Sequence, residues 1–127
     1  MAEIIPALSM VVTTTASREQ AQQLATEMVA RRLAACAQID GPIESHYAWQ
    51  GRLHTETEWR LTLKSTALRA SALLSAVRAA HPYEQPQVIA LAIAAADAGY
   101  AQWVQGQTCE VSAFGGDRPD ASKKDRS

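Results

Sequence analysis

Two long stretches of alternating residues, joined near a single glycine, constrain this chain more than any other feature. Before the join, Ile43, Ser45, Tyr47 and Trp49 fall on one face of an extended segment. Glu44, His46, Ala48 and Gln50 fall on the other. After Gly51, Trp59, Leu61 and Leu63 alternate with Arg60, Thr62 and Lys64. The pattern predicts a β-hairpin turning at Gly51, with a first arm over residues 35–50 and a bulge or bend at Gly41-Pro42. Both arms exceed the usual strand of about five or six residues. A two-stranded arm of that length is too long for one small domain to bury, so part of it is expected to pack on another subunit.

The remaining elements follow from local signals. Residues 8–14, with Val11, Val12 and Thr13, read as a buried strand. Ser17 and Gln20 form a capping box that opens a helix. Ala21, Leu24, Ala25 and Met28 make its apolar face, and it should end near Arg31-Arg32. A second helix is expected over 68–80, burying Leu73, Leu74, Val77 and Ala80. Residues 88–93 form a continuous apolar run, read as a strand covered on one side and well packed at its edges. A short last helix over 95–107 carries Tyr100, Trp103 and Val104, with Gly99 weakening its start. From residue 115 the chain is polar, so the expected layout is one domain over 1–114 and a mobile tail over 115–127. The order strand, helix, strand, strand, helix, strand is that of an α+β, ferredoxin-like βαββαβ sandwich with a long hairpin and a C-terminal helix.

Composition narrows the function classes. The 127 residues suffice for one core without disulfide or metal staples. A net charge of -1 gives no electrostatic case for nucleic acid or an anionic membrane as partner. Two cysteines, Cys36 and Cys109, do not make a disulfide framework. No basic leader is seen at the N-terminus and no apolar run could span a bilayer, so a cytoplasmic setting is expected.

The densest chemistry lies in His81-Pro82-Tyr83-Glu84-Gln85-Pro86. The two prolines stiffen this connector and push His81 and Gln85 away from helix. It is either one wall of a site or an ordinary helix-to-strand turn. Cys36, His46, His54, His81 and Cys109 are the soft or borderline metal ligands, but they form no CxxC, HxxxH or HExxH spacing. A thiolate with an imidazole would suit copper or zinc, whereas a lone strand cysteine is more often a small buried apolar residue. His81 has the stronger functional case, because Tyr83 and Glu84 are near enough to orient it. His46 and His54 should face solvent. Lys64 could hold an anion or simply be solvated. Glu56 and Glu58 share a strand face, where they either bind a cation or work as an acid and base pair, or only keep an edge soluble. Trp49, Trp59 and Trp103 read as core or interface anchors. Catalysis finds no support, since no nucleophile elbow or phosphate-binding glycine loop appears.

The runs Val12-Thr13-Thr14, Arg32-Leu33-Ala34-Ala35-Cys36-Ala37-Gln38-Ile39 and Ser45-His46-Tyr47-Ala48-Trp49-Gln50-Gly51 closely resemble the CutA family, the divalent-ion tolerance proteins. Glu58, Leu61, Lys64, His81-Pro82-Tyr83-Glu84, Tyr100 and Trp103 continue the match, which covers about residues 8–107. The resemblance implies a cytoplasmic homotrimer with an architecture similar to the PII signalling proteins, and no enzymatic activity. It implies clefts between subunits lined by Tyr47, Trp49, Glu58, Lys64, Tyr83, Glu84 and Trp103. It also implies copper or another divalent ion as a non-obligatory ligand, with Cys36 and His81 as the expected metal ligands. Gln38, Gln85, Gln87 and Ala92 depart from the family pattern, and Gln87 removes an acidic group that a hard cation such as magnesium would use. Two other readings stand beside metal binding. One is a PII-like sensor of an anionic metabolite, in which Trp49, Lys64, Tyr83 and Glu84 line the pocket. The other is a trimeric scaffold with no ligand.

Overall fold

The computed structural model describes residues 4–109, and the expected tail over 115–127 lies outside them. Seven elements follow one another: β1 (Leu8–Thr15), α1 (Arg18–Ala30), β2 (Cys36–Trp49), β3 (Arg52–Thr66), α2 (Ala70–Ala80), β4 (Val88–Ile93) and α3 (Ala98–Gln107). The four strands form one antiparallel sheet in the order β2-β3-β1-β4, so β2 and β4 are its edges. This is a mixed α+β fold with the element order expected from the sequence.

Alternation in the register divides the sheet into two faces. Val11, Thr13, Leu61 and Leu63 lie on one, fully buried beneath α1 and α2 with Leu24, Met28, Leu73 and Val77. On the other face Met10 stands between Lys64 and Leu91, and Val12 between Thr62 and Ile89. Ile89 and Leu91 are exposed there. α3 packs at one end of this second face, where Leu8 and Ile93 meet Ala101 and Val104. Packing was expected at both edges of β4; it pairs with β1 along one, and among the described residues no strand pairs with the other.

Local chemistry accounts for most of the element ends. Gln20 N–H donates to Ser17 Oγ at 3.1 Å, and Gln20 Oε1 accepts from Ala16 N–H at 3.1 Å, which closes the capping box one residue early. α1 then ends at Arg31, and Arg32 takes a left-handed conformation with φ 60°. The hairpin turns through Gln50 (φ 53°) and Gly51 (φ 77°) between the paired residues Trp49 and Arg52. Two positive φ values in a two-residue loop match the twist of the flanking strands. The bulge at Gly41-Pro42 appears as a register shift between Asp40 and Ile43. A side chain at Gly41 would bring its Cβ to 2.7 Å from the Trp59 ring, so the indole lies directly on this backbone. α3 begins at Ala98 rather than 95, because Asp97 accepts the Tyr100 N–H at 2.9 Å and caps the helix. α2 buries Leu73 and Val77, with Leu74 partly covered, while Ala80 is exposed at its end.

Candidate functional site

The 81–87 connector is an irregular segment between α2 and β4, and four hydrogen bonds fix it. His81 Nε2 donates to the Thr14 carbonyl at 2.8 Å, and His81 Nδ1 accepts the Tyr83 N–H at 3.1 Å. Those partners dictate a neutral imidazole with its proton on Nε2, because a carbonyl only accepts and an amide N–H only donates. Thr13 Oγ1 donates to the Gln87 carbonyl at 2.6 Å, and Arg78 Nη2 donates to the Glu84 carbonyl at 3.2 Å. The connector is thus tied to the end of β1 and to the last turn of α2.

Tyr83 consequently points across the sheet. Its hydroxyl donates to Glu58 Oε2 at 2.8 Å, and its ring meets His81 edge-on with centroids 4.7 Å apart. Between the connector and the hairpin opens a cavity of about 520 Å³. Tyr47, Trp49, Glu56, Glu58, Tyr83 and Glu84 supply its chemistry, with Thr14, Ser45 and His46 also in the wall. The register explains the gathering. Ser45 pairs with Glu56 and Tyr47 with His54, so alternate residues of both arms share the face that the connector roofs. Tyr47 stacks on His54 with centroids 5.2 Å apart, so His54 is half-buried rather than solvent-facing.

Electrostatics set the character of the cleft. Three glutamates line it, and among the described residues no lysine or arginine does. Glu58 is only 7% exposed. Burial, then the hydrogen bond to Glu58, pushes the Tyr83 phenol above its usual range. Partial desolvation, followed by the charges of Glu56 and Glu58, raises the Tyr47 phenol as well. Burial lowers the His81 imidazole below its ordinary value, opposed by its bond to Thr14.

Not every residue expected to line a cleft between subunits borders this cavity of the single chain. Cys36 pairs with Lys64, six residues along β3 from Glu58, or roughly 20 Å at about 3.3 Å per residue. Cys36 Sγ lies 3.3 Å from the Tyr100 hydroxyl, and Lys64 Nζ donates to Gln38 Oε1 at 2.7 Å. Trp103 belongs to the α3 cluster, its ring tilted against Tyr100 with centroids 5.9 Å apart, and its buried indole N–H has no hydrogen-bond partner among the described residues. Cys36 and His81 therefore do not meet within one chain, and both nitrogens of His81 are already bonded. No group of three or more His, Cys, Asp and Glu side chains is disposed to hold a metal among the described residues. Glu56 enters the cleft beside Glu58, and its two-residue spacing was the signal for it.

Comparison with known proteins places this geometry. The family model for the CutA1 divalent ion tolerance protein matches residues 9–107. The chain belongs to the CutA family. A divalent-cation tolerance protein CutA from Citrobacter koseri is 35% identical over 100 residues, covering 79% of this chain and 87% of that one. Among solved CutA structures, the CutA1 of Ehrlichia chaffeensis superposes with a TM-score of 0.79 at 30% identity, covering 84% of this chain and 99% of that one. The Oryza sativa CutA1 gives 0.79 at 34% identity, covering 84% and 97%. A relative from Archaeoglobus fulgidus, 26% identical with a TM-score of 0.76 over 80% of this chain and 98% of that one, is described as a periplasmic divalent cation tolerance protein. No helix among the described residues is long and apolar enough to cross a membrane.

Proposed function

We propose that this CutA chain binds a divalent metal ion, copper(II) first among them, in the acidic cleft between the hairpin and the connector. The observation that carries the reading is Glu58, a carboxylate only 7% exposed whose hydrogen-bond donor among the described residues is the neutral Tyr83 phenol. A buried anion is costly without a cation, and Glu56 on the same face supplies a second carboxylate. Glu56 and Glu58 would hold the ion between their carboxylates. The absence of lysine and arginine from the described lining weighs against an anionic metabolite there. Calorimetric titration with Cu(II), Zn(II) and Mn(II) should show binding that Glu58→Gln weakens at least tenfold and Cys36→Ser leaves unchanged. Equal affinity in wild type and Glu58→Gln would sink the reading.

The protein that does this is, in our proposal, a cytoplasmic homotrimer. The sheet face bearing Ile89 and Leu91, together with Tyr47 and Trp49 on a hairpin with arms of 14 and 15 residues, leaves apolar surface that the described residues of one chain do not cover. Two free thiols suit a reducing compartment. Light scattering behind size exclusion should report three times the 13.7 kDa chain mass, and a stable monomer would contradict it.

A further inference from the structure

The long hairpin is not supported along its whole length. β1 pairs with β3 from Thr66 to Trp59 and stops there at Thr15. The register shift in β2 falls at the same level, between Asp40 and Ile43. Beyond it, from the Ile43–Glu58 pair to the Trp49–Arg52 pair, β2 and β3 pair only with each other among the described strands. A bulge bends and twists the strand that carries it, so a two-stranded ribbon rooted on one can leave its sheet at many angles. Something has to choose among them.

Two contacts meet at that root, one on each face. On the helix side the Trp59 ring covers Gly41. A Cβ at Gly41 would lie 2.7 Å from Trp59 Cδ1, 3.0 Å from its Cγ and 3.2 Å from the Glu58 carbonyl oxygen. Trp59 packs against the cluster that joins α1 and α2 to the sheet, so its ring belongs to the body of the domain rather than to the ribbon. On the opposite face Glu58, in the first pair beyond the bulge, accepts the Tyr83 hydroxyl at 2.8 Å. Tyr83 in turn belongs to the connector that His81 ties to Thr14 of β1. Indole and phenol thus grip the hairpin where its third strand ends.

We propose that Gly41 and Trp59 form a hinge that sets the direction of residues 43–58, and that Gly41 is thereby the positioning residue for assembly with a second copy of the chain. Only a residue without a Cβ lets the β2 backbone close onto the ring, and that closure fixes the angle of the ribbon. The ribbon carries Tyr47 and Trp49, whose exposed rings are the surface it offers to a neighbour. Its six-residue reach is about 20 Å at roughly 3.3 Å per residue, so a turn of about 10° displaces its end by about 3–4 Å. A shift of that size separates two packed side chains. The role in assembly rests on the homotrimer reading, whereas the hinge itself is a property of one chain.

The test reads the angle and the assembly separately. Spin labels at Gln23→Cys on α1 and Arg52→Cys at the ribbon end, both exposed positions, report the angle by double electron–electron resonance. The full chain is used with Cys36→Ser and Cys109→Ser, diluted with unlabelled protein so that only distances within one chain are read. Gly41→Ala should shift the mean distance by about 3 Å or more. Gly106→Ala, whose Cβ meets nothing within 4 Å, should leave it unchanged. Trp59→Ala should broaden the distance distribution, and adding Gly41→Ala to it should then change nothing further. An unshifted distance in Gly41→Ala, or an equal shift with and without the ring, would overturn the hinge. Light scattering on the unlabelled proteins reads the assembly. Gly41→Ala should come apart at a concentration at least tenfold higher than wild type, with its far-ultraviolet circular dichroism retained. Assembly as tight as that of wild type would overturn the role given to Gly41. A monomeric wild type would instead remove the homotrimer reading, and the hinge would then be decided by the distances alone.

Discussion

Leu61→Ala should destabilise the protein by about 3–5 kcal/mol, the cost of a cavity at a buried leucine that cannot collapse. Leu61 is fully buried, lies opposite Thr13 of β1 and Ile39 of β2, and shares a cluster with residues of both α1 and α2. No single neighbour can shift into the gap, because each is held by its own strand or helix. Leu68→Ala is the matched control. Leu68 lies between β3 and α2 and is 92% exposed, and its loss should change stability by less than about 0.5 kcal/mol. Urea unfolding at one fixed chain concentration measures both, since the stability of an oligomer depends on concentration. A loss below about 1 kcal/mol for Leu61→Ala would mean that this layer is not the core that holds the sheet to its helices.

Leu61 was legible in the sequence because its signal is local. Alternation with Trp59 and Leu63 places it on one strand face, and the run from Ala21 to Met28 supplies a helix to cover it. The Ser17 cap and the Gly51 turn were legible for the same reason, as side-chain and backbone chemistry within four residues. Strand order is different in kind. Among the described strands β4 stands at an edge because β3 takes the far side of β1, and nothing in Val88–Ile93 carries that information. Asp97 was a missed local signal, since a capping aspartate beside Gly99 marks a later helix start than the apolar pattern does.

The cleft was legible in its residues but only partly in its assembly. Alternation puts Glu58 opposite in sense to Trp59 and Leu61, which by itself predicts a solvated glutamate. It is buried because the connector crosses that face, and the connector crosses there because His81 reaches Thr14, 67 residues away. A contact of that span leaves no periodic trace. Within one chain the register sets Cys36 beside Lys64, while His81 reaches the Thr14 carbonyl, so a soft-metal pair of these two residues would need a cleft between subunits.

His81→Ala is the variant in which fold and site should fail together. The imidazole satisfies two backbone groups at once, the Thr14 carbonyl and the Tyr83 N–H. Stranding both, at about 1–3 kcal/mol for each buried group left unpaired, should destabilise the protein by roughly 2–5 kcal/mol. Tyr83 would lose its orientation as well, and with it the hydrogen bond that holds Glu58 in the cleft. Cation binding should therefore weaken even though His81 touches no ligand. The pH dependence distinguishes this role from simple packing. Burial lowers the folded-state pKa of His81 below its ordinary value of 6.5, with Arg78 acting in the same direction and Glu58 against it. The neutral ring is thus favoured in the fold, so its contribution is complete above pH 6.5 and is lost as pH falls below that through the folded pKa. A proton on Nδ1 would also turn a donor toward the Tyr83 N–H and break that bond. The stability gap between wild type and His81→Gln, followed by urea unfolding from pH 7.5 down to 5, should narrow with acid. A gap that stayed constant across that range would show that the ring acts by volume alone.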